Sequence, residues 1–313
     1  MDKVLIIGVE SIAGANLAAV FAPGFNTVGL TAASAVSIEN CRVEQISRHD
    51  PATLTKCMQA EQPDQVVFCG RASRSSWDCD HADALDDQLA VAWASVARQY
   101  GASFTLISSD AVFTGPWMSH HEDDTHYCDT PQAALIRQVE ADVKQACPEA
   151  LVVRTNVFGW SASQATPGFA ESLMKSLVDG LTGELDSLRH AAPMLASDLA
   201  VVLLKAWESS QSGTLHVAGS ERINPCQFAE RLAAIAELSV PDFKQHARLT
   251  RPVTGFGRGE TMLDCRRARR LLNVSMPLID EGITRMLEQT GNGYLDQLRC
   301  TTPATATAAT RVA

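Results

Sequence analysis

The chain has 313 residues and is 46% hydrophobic, which is enough for one large α/β domain and a smaller second one. Its formal net charge of −10 disfavours a nucleic-acid partner, and no apolar run reaches the roughly 18 residues that a membrane span needs. The nine cysteines are scattered and never spaced CxxC, so we expect no metal site, no disulfide framework and, with no signal-peptide pattern at the start, a cytoplasmic protein.

In the first half of the chain, short apolar runs alternate with helical patterns. The predicted strands are Val4–Ile7, Thr27–Leu30, Gln65–Cys69, Phe104–Ser108 and Leu151–Thr155. The predicted helices are Ile12–Phe21, Pro51–Gln59 with Asp50 as its cap, Ala84–Tyr100 and Ala133–Ala146. This alternation is typical of parallel βαβ units, and continuous Val, Ile and Leu runs suit a sheet that helices cover on both faces. The sequence therefore predicts an α/β fold with a Rossmann-like, doubly wound parallel sheet.

After Phe158 the pattern becomes more helical and less regular. The predicted elements are the helices Gly168–Val178, Leu199–Glu208 with Asp198 as its cap, Pro225–Ala236, Arg266–Leu272 and Glu281–Gln289, and the strand Thr214–Val217. We expect a dinucleotide-binding domain over 1–157 and a smaller α/β substrate-binding region over 158–299 that partly returns to the sheet. The small, polar segment 300–313 is expected to be a disordered tail.

The first motif that points to chemistry lies between the first predicted strand and helix. Residues 8–14 read Gly-Val-Glu-Ser-Ile-Ala-Gly. In dinucleotide folds such glycines make a tight turn and let the pyrophosphate approach the N-terminus of the helix. We expect Gly8, Ser11, Ile12 and Gly14 to contact a cofactor. Ser11 replaces the usual middle glycine, and its hydroxyl is small enough to fit and to donate to a phosphate.

Other features of this region work against a cofactor. Glu10 places a negative charge in the loop, which opposes a pyrophosphate. The acidic residue that should hold the ribose hydroxyls about twenty residues later is missing, because 29–34 read Gly-Leu-Thr-Ala-Ala-Ser. Arg42 and Arg48 come too late to hold a 2′-phosphate. We expect NAD(P) binding to be weak or absent, and Glu10→Gly to tighten it.

A second stretch, Leu-Ile-Ser-Ser-Asp-Ala-Val-Phe-Thr-Gly at 106–115, resembles the dTDP-4-dehydrorhamnose reductases among the extended short-chain dehydrogenases. That family carries Ile-Ser-Thr-Asp-Tyr-Val-Phe-Asp-Gly there. Further matching pieces follow in order at 122–124, 154–159, 193–199, 216–219, 251–252, 263–264, 276–277 and 281–282. The resemblance runs from about residue 3 to about residue 290 and implies a cleft for a dinucleotide and a nucleotide sugar.

Family chemistry uses a Ser or Thr hydroxyl, a Tyr that protonates the alkoxide and a Lys four residues after the Tyr. Ser109 matches the hydroxyl. The Tyr and Lys positions are Ala134 and Gln138 in one alignment, or Gln132 and Ile136 in the other. None of the chain's three tyrosines is followed four residues later by lysine. Loss of a positioned general acid costs a factor of roughly 10²–10⁴.

A substitute donor is the competing interpretation. Tyr127 lies near the right segment, and His120, His121 and His126 surround it, although a solvated loop is the expectation for these histidines. The basic stretch at 266–270 is expected to pair with surface acids rather than to hold a diphosphate.

From these residues we expect a member of this family that binds a dinucleotide or nucleotide sugar without catalysis, or that serves as a regulatory subunit with a protein partner. The resemblance supplies a precedent for the second role, since the regulatory subunit of methionine adenosyltransferase is similar to the same reductases. The alternative is an NAD(P)-dependent sugar-nucleotide reductase with an atypical proton donor. We expect no nucleic-acid or membrane partner.

Overall fold

The computed structural model describes residues 3–32, 36–46, 50–70, 73, 75–78, 87–116, 118–181, 183–239, 244–245 and 254–300. The strands are β1 (Lys3–Ile7), β2 (Asn26–Thr31), β3 (Cys41–Gln45), β4 (Gln65–Phe68), β5 (Ser103–Ser109), β6 (Leu151–Thr155), β7 (Val157–Phe158), β8 (Glu184–Leu185), β9 (Met194–Leu195), β10 (Gly213–His216) and β11 (Lys244–Gln245). The helices are α1 (Ile12–Phe21), α2 (Pro51–Glu61), α3 (Asp87–Gln99), α4 (Pro131–Ala146), α5 (Phe169–Val178), α6 (Ala196–Glu208), α7 (Pro225–Ile235), α8 (Arg266–Leu272), α9 (Ile279–Glu288) and α10 (Tyr294–Leu298).

Seven strands form one parallel sheet in the order β10-β6-β5-β4-β1-β2-β3. β1 pairs with β2 on one side and with β4 on the other, so the predicted first strand lies inside the sheet. This confirms the predicted doubly wound α/β fold. β10 comes from the second half of the chain and pairs with β6, so that half does return to the sheet.

Helices cover the sheet on both faces, and the residues of β1 alternate between the two layers. Val4 and Ile6 pack in a cluster with α1 and α6, whereas Leu5 and Ile7 pack in a second cluster with α2, α3 and α4. Burial on both faces explains why the strand is a continuous apolar run. The strand β3, which the sequence analysis missed, lies at the sheet edge and is half exposed, so it carries no such run.

Helix beginnings depend on capping, and here the sequence analysis was partly wrong. Asp50 caps α2 as predicted, accepting from the backbone N–H groups of Ala52 and Thr53. Asp198 does not cap α6, because that helix begins at Ala196 and the Asp198 carboxylate instead pairs with Arg285 at 2.6 Å. The predicted helix over 84–100 begins outside the described residues, and its described part ends at Gln99.

No helix among the described residues is long and apolar enough to cross a bilayer. In the same part of the chain, no group of three or more His, Cys, Asp or Glu side chains could hold a metal ion, and no disulfide joins the eight described cysteines.

The first turn of the sheet predicts a strict requirement for glycine at residue 14. A Cβ there would lie 2.3 Å from the carbonyl oxygen of Gly8. Alanine favours helices over glycine by roughly 0.5–1 kcal/mol, but this clash is with backbone that cannot move aside. We expect Gly14→Ala to lower the free energy of unfolding by about 1–3 kcal/mol in urea titrations.

Gly291→Ala is the matched control, because a Cβ at residue 291 meets nothing within 4 Å. Its unfolding free energy should stay within about 0.5 kcal/mol of wild type. Equal stability of the two variants would contradict the close packing of this turn.

Candidate functional site

A cleft of about 260 Å³ lies where β1 gives way to α1. In the sheet order, β1 has β4 on one side and β2 on the other, so this is the point where the strand order reverses. Ligands of open α/β sheets bind at such points, beyond the carboxyl ends of the strands. We call it the β1–β4 cleft. Its lining residues are Glu10, Ser11, Ile12, Ala13, Ser73, Ser75, Asp78, Val157, Ser161, Thr166, Pro167 and Gly168.

The turn from β1 to α1 forms the floor of this cleft. Gly8 has a φ of 83°, and its N–H donates to the carbonyl of Leu30 at 2.8 Å. A Cβ on Gly8 would lie 2.1 Å from the carbonyl oxygen of Cys69. Of the four predicted cofactor residues, Ser11 and Ile12 line the cleft, whereas Gly8 and Gly14 shape the turn beneath it.

The Ser11 hydroxyl makes both of its hydrogen bonds within this turn. It accepts from the backbone N–H of Gly14 at 3.0 Å and donates to the carbonyl of Gly8 at 2.8 Å. Ser11 is therefore the N-cap of α1. The single hydroxyl proton of Ser11 is thus already bonded to Gly8. A phosphate at this helix end would receive a hydrogen bond from Ser11 only after that bond is broken.

The Glu10 carboxylate is directed toward the end of β2. Its Oε1 lies 3.5 Å from the backbone nitrogen of Ala32, the residue that follows β2. Its Oε2 is buried and has no hydrogen-bond partner among the described residues. The loop charge therefore lies at the edge of the sheet where a dinucleotide fold places its ribose.

Asp78 supplies a second carboxylate to the cleft wall. Its Oδ1 accepts from the backbone N–H of Phe169, the first residue of α5, at 2.6 Å. It serves α5 as a distant cap, since the local N-cap residue is Gly168 and has no side chain. No local sequence pattern marks Asp78 as a cap, because its capping contact joins residues 91 positions apart. Arg71 and Arg74, from the same connection, lie outside the described residues.

Ser109, which matches the catalytic hydroxyl of the family, lies at the end of β5 and is only 1% exposed. Its Oγ accepts from the backbone N–H of Ala111 at 3.1 Å and so caps the short 3₁₀ turn Asp110–Val112. Among the described residues, neither Ser109 nor Tyr127 lines the β1–β4 cleft.

Tyr127 is packed among aromatic and cationic side chains. Its ring stacks on Phe113 with centroids 5.3 Å apart. The guanidinium carbons of Arg137 and Arg154 lie 4.7 and 5.6 Å from its ring centroid.

Helix α4 decides between the two alignments of the catalytic pair. Ile136 and Glu140 are buried and Gln132 is half-buried, so these positions four residues apart share the inward face. Ala134 and Gln138 are exposed, and the Gln138 amide donates to Asp142 on the surface. The inward positions are therefore Gln132 and Ile136, and the structure favours the alignment on this pair over the one on Ala134 and Gln138.

Glu140 is not a free acid or base on this face. It forms a buried ion pair with Arg154 at 2.7 Å and accepts from the Ser108 hydroxyl at 2.6 Å. Burial lowers the pKa of Arg154, whereas the charge and hydrogen bonds of Glu140 raise it. The effect of Glu140 is the stronger, so the Arg154 pKa is raised. The neighbouring His216 has its pKa held well below the ordinary range by burial and by Arg154. This pair fastens α4 to β6.

The three histidines near Tyr127 do not behave alike. His120 is fully buried and stacks on Phe113 with centroids 4.3 Å apart, so the solvated-loop prediction is wrong for it. Burial lowers its pKa, which keeps the imidazole neutral at pH 7. His121 and His126 are exposed as predicted, and His121 Nδ1 lies 3.4 Å from the Asp264 carboxylate.

The prediction that the basic stretch of α8 pairs with surface acids holds only in part, because Asp123 is exposed whereas Glu122 is buried. Arg266 Nε lies 2.7 Å from Asp264, and Arg267 contacts Asp123 and Glu122. These pairs engage two of the four arginines with carboxylates. The expectation against a diphosphate role stays a prediction.

One fully buried carboxylate, that of Asp110, joins the strand ends below the cleft. It accepts from the Ser76 backbone N–H at 2.9 Å, the Ser76 hydroxyl at 2.7 Å, the Asn156 amide at 2.8 Å and the Thr261 hydroxyl at 2.5 Å. Burial raises its pKa, and these hydrogen bonds oppose that rise. The cluster ties the loop after β4, the end of β6 and the C-terminal region to β5.

Comparison with known proteins agrees with this geometry. The family model described as the RmlD substrate binding domain matches residues 2–292. The probable low-salt glycan biosynthesis reductase Agl14 of Haloferax volcanii is 24% identical over 264 residues, which cover 79% of this chain and 84% of that protein.

Solved structures show the same fold at low identity. The dTDP-4-dehydrorhamnose reductase of Bacillus anthracis, solved with NADP, has a TM-score of 0.74 at 16% identity, covering 92% of this chain and 98% of that one. The Bordetella bronchiseptica enzyme WbmH, solved with NAD+, has 0.72 at 16%, covering 94% and 100%. The UDP-glucose 4-epimerase of Thermotoga maritima, solved with UDP-glucose, has 0.71 at 14%, covering 92% and 99%.

The Asp110 cluster predicts a large cost for removing a single hydroxyl. Thr261→Val keeps the side-chain shape but withdraws a donor from a buried carboxylate. A hydrogen bond to a charged group contributes roughly 1.5–3 kcal/mol, and we expect a loss of that size in the free energy of unfolding by urea. In the control Thr284→Val, the lost hydroxyl bonds an exposed carbonyl within α9, and the change should stay below about 0.5 kcal/mol. Similar losses in both variants would argue against the cluster as an anchor.

Proposed function

The chain belongs to the family of the RmlD substrate-binding domain, and on that premise we propose that it binds a dinucleotide or a nucleotide sugar in the β1–β4 cleft without carrying out the family's reduction. A regulatory subunit that senses such a ligand is one form this role takes. The fold, the glycine turn beneath the cleft and the order of the matching motifs support ligand binding. The inward face of α4 supports the absence of reduction.

The inward face of α4 is the observation that carries this proposal. Hydride that arrives at a carbonyl carbon leaves an alkoxide, which must gain a proton in or just after the transition state. The half-buried Gln132 has an amide that does not act as an acid, and the buried Ile136 offers no charge to tune a donor or to hold a ribose. The next inward residue, Glu140, forms an ion pair with Arg154 and is not available as an acid.

Ser109 does not replace the missing acid. Its hydroxyl can stabilise an oxyanion by a hydrogen bond, but a serine hydroxyl is far too weak an acid to supply the proton. In this chain the Oγ already caps the turn after β5 and is almost fully buried. What remains of the family's machinery therefore includes no acid that would protonate the product of reduction.

The family implies a nicotinamide dinucleotide, whose chemistry when bound is the delivery of a hydride. The residues present fit its adenosine half best. Gly8 and Gly14 allow close approach at the N-terminus of α1, and the Glu10 carboxylate has a buried oxygen with no partner among the described residues. Relatives of similar fold were solved with NADP, with NAD+ and with UDP-glucose, which supports both ligand classes for this cleft.

A second candidate function is a reductase with a relocated proton donor. The observation that favours it is the position of Tyr127 between the guanidinium groups of Arg137 and Arg154. Tyrosine is the residue type that protonates the alkoxide in the family, and these two cations lie close to the Tyr127 ring. Its stacking on Phe113 and its absence from the described lining of the cleft favour a packing role instead.

The catalytic prediction concerns reduction of dTDP-4-dehydrorhamnose with NADH or NADPH. We expect the purified wild-type protein to turn over at least about a hundredfold more slowly than ordinary family members, since a missing general acid costs a factor of roughly 10²–10⁴. Oxidation of the reduced cofactor, followed by absorbance, measures the rate. Robust wild-type turnover that Tyr127→Phe abolishes would instead establish the relocated donor.

Two double variants sharpen this assay. Gln132→Tyr/Ile136→Lys restores the family pair on the inward face of α4, whereas Ala134→Tyr/Gln138→Lys places the same two residues on the exposed face. We expect any gain in reductase activity only in the first. A gain in the second alone would show that the inward alignment is wrong.

Binding of the cofactor is expected to be weak, because the Ser11 hydroxyl already makes its hydrogen bonds within the turn and the Asp78 carboxylate lies in the cleft wall. We expect an NADH dissociation constant of about 0.1–1 mM, equivalent to roughly 4–5.5 kcal/mol, with NADPH no tighter. Ligand-observed NMR titration measures it. A micromolar constant would contradict weak binding, and no saturable signal from NADH, NADPH, UDP-glucose or dTDP-glucose up to millimolar concentration would contradict binding altogether.

A further inference from the structure

We infer that Glu10 selects the dinucleotide of the β1–β4 cleft by accepting hydrogen bonds from the adenosine ribose, so that the cleft prefers NAD(H) to NADP(H). This rests on the proposed binding of a dinucleotide. It goes further by naming the ligand's distinguishing group, a free ribose 2′-hydroxyl, and the residue that recognises it.

Pairing of β1 with β2 brings Glu10 to this place. The two strands run parallel with Ile7 opposite Leu30, and the N–H of Gly8 continues the pairing by donating to the Leu30 carbonyl. The loop after β1 is thereby held beside the end of β2. Its third residue, Glu10, reaches the backbone nitrogen of Ala32 with Oε1 at 3.5 Å.

The end of β2 is where dinucleotide folds place the carboxylate that holds the ribose hydroxyls. In this chain β2 ends at Thr31 and the sequence over 29–34 contains no acidic residue. Glu10 brings a carboxylate to the same edge from the neighbouring loop. The charge that the strand lacks is therefore supplied from the glycine turn.

The surroundings of the second carboxylate oxygen of Glu10 indicate which group of the ligand it binds. Glu10 Oε2 is buried and has no hydrogen-bond donor among the described residues, although Glu10 lines the cleft. A buried acceptor without a donor is costly, and a pair of ribose hydroxyls supplies two donors. A 2′-phosphate would instead bring negative charge against the carboxylate, which is unfavourable.

The cation on the strand next to β2, a candidate partner for a 2′-phosphate, is already paired with carboxylates. Arg42, on the neighbouring strand β3, lies 3.1 Å from Glu44 and also contacts Glu61. Its guanidinium is thus held by two carboxylates on the side of β3 and α2. Arg48 lies outside the described residues.

This assignment reverses the expectation drawn from the sequence for the loop charge. If Glu10 repels the pyrophosphate, removing its charge strengthens binding of both cofactors. If Glu10 accepts from the ribose, removing the charge weakens binding of NADH and of ADP-ribose, which shares the adenosine half, and it reduces discrimination against NADPH. The two roles therefore predict opposite changes.

The experiment is a ligand-observed NMR titration of wild type, Glu10→Gln and Glu39→Gln with NADH, NADPH and ADP-ribose. Glu39 is an exposed acid that does not line the cleft, so Glu39→Gln is the matched control. We expect wild type to bind NADH at least about tenfold more tightly than NADPH. Glu10→Gln should weaken NADH and ADP-ribose about tenfold or more, as for a hydrogen bond to a charged group, while the control matches wild type.

Three results would overturn the inference and leave dinucleotide binding intact. They are equal or tighter binding of NADPH by wild type, an unchanged NADH to NADPH ratio in Glu10→Gln, and tighter binding of both cofactors by that variant. The wild-type ratio does not depend on how well any variant folds, and thermal melts by circular dichroism check the variants. Failure of wild type to bind any of the three ligands would overturn the dinucleotide proposal itself, and the inference with it.

Discussion

The buried carboxylate of Asp110 is the interaction on which the cleft depends. Its partners are hydroxyl, amide and backbone N–H groups, so its charge is stabilised by hydrogen bonds that all have to be formed together. Through Ser76 it fixes the loop after β4, and that loop carries Ser75 and Asp78 into the cleft wall. Asp78 in turn holds the start of α5. One wall of the site is therefore built outward from a single carboxylate at the end of β5.

Around this anchor the fold of the family is retained, and under the proposed function its acid–base chemistry is lost. The glycine turn between β1 and α1 is held so closely that backbone atoms occupy the space of a side chain. On the other side of the sheet, Glu140 and Arg154 fasten α4 to β6, which fixes the helix that carries Gln132 and Ile136. Under the proposed function, Gln132 and Ile136 change the chemistry of that helix without any need to move it, because function depends on particular sites and not on the fold alone.

Much of the fold was predictable because local signals repeat along the chain. β6, α1 and α8 match their predicted bounds, since each is an apolar run or a periodic pattern between clear boundaries. β3 was missed because an edge strand needs little apolar character. The start of α6 was misplaced because Asp198 reads as a cap, whereas a partner 87 residues away, Arg285, takes its carboxylate.

The sequence by itself determined the doubly wound sheet, the glycine turn, the family and the missing catalytic pair, because each of these is written in residue types at fixed spacing. Only the tertiary structure decided which face of α4 points inward, where the Glu10 carboxylate lies and which residues form the cleft wall. Those answers depend on contacts between segments that are distant in the chain. The direction of Glu10, for example, follows from the pairing of β1 with β2, and the identity of the residue does not determine it.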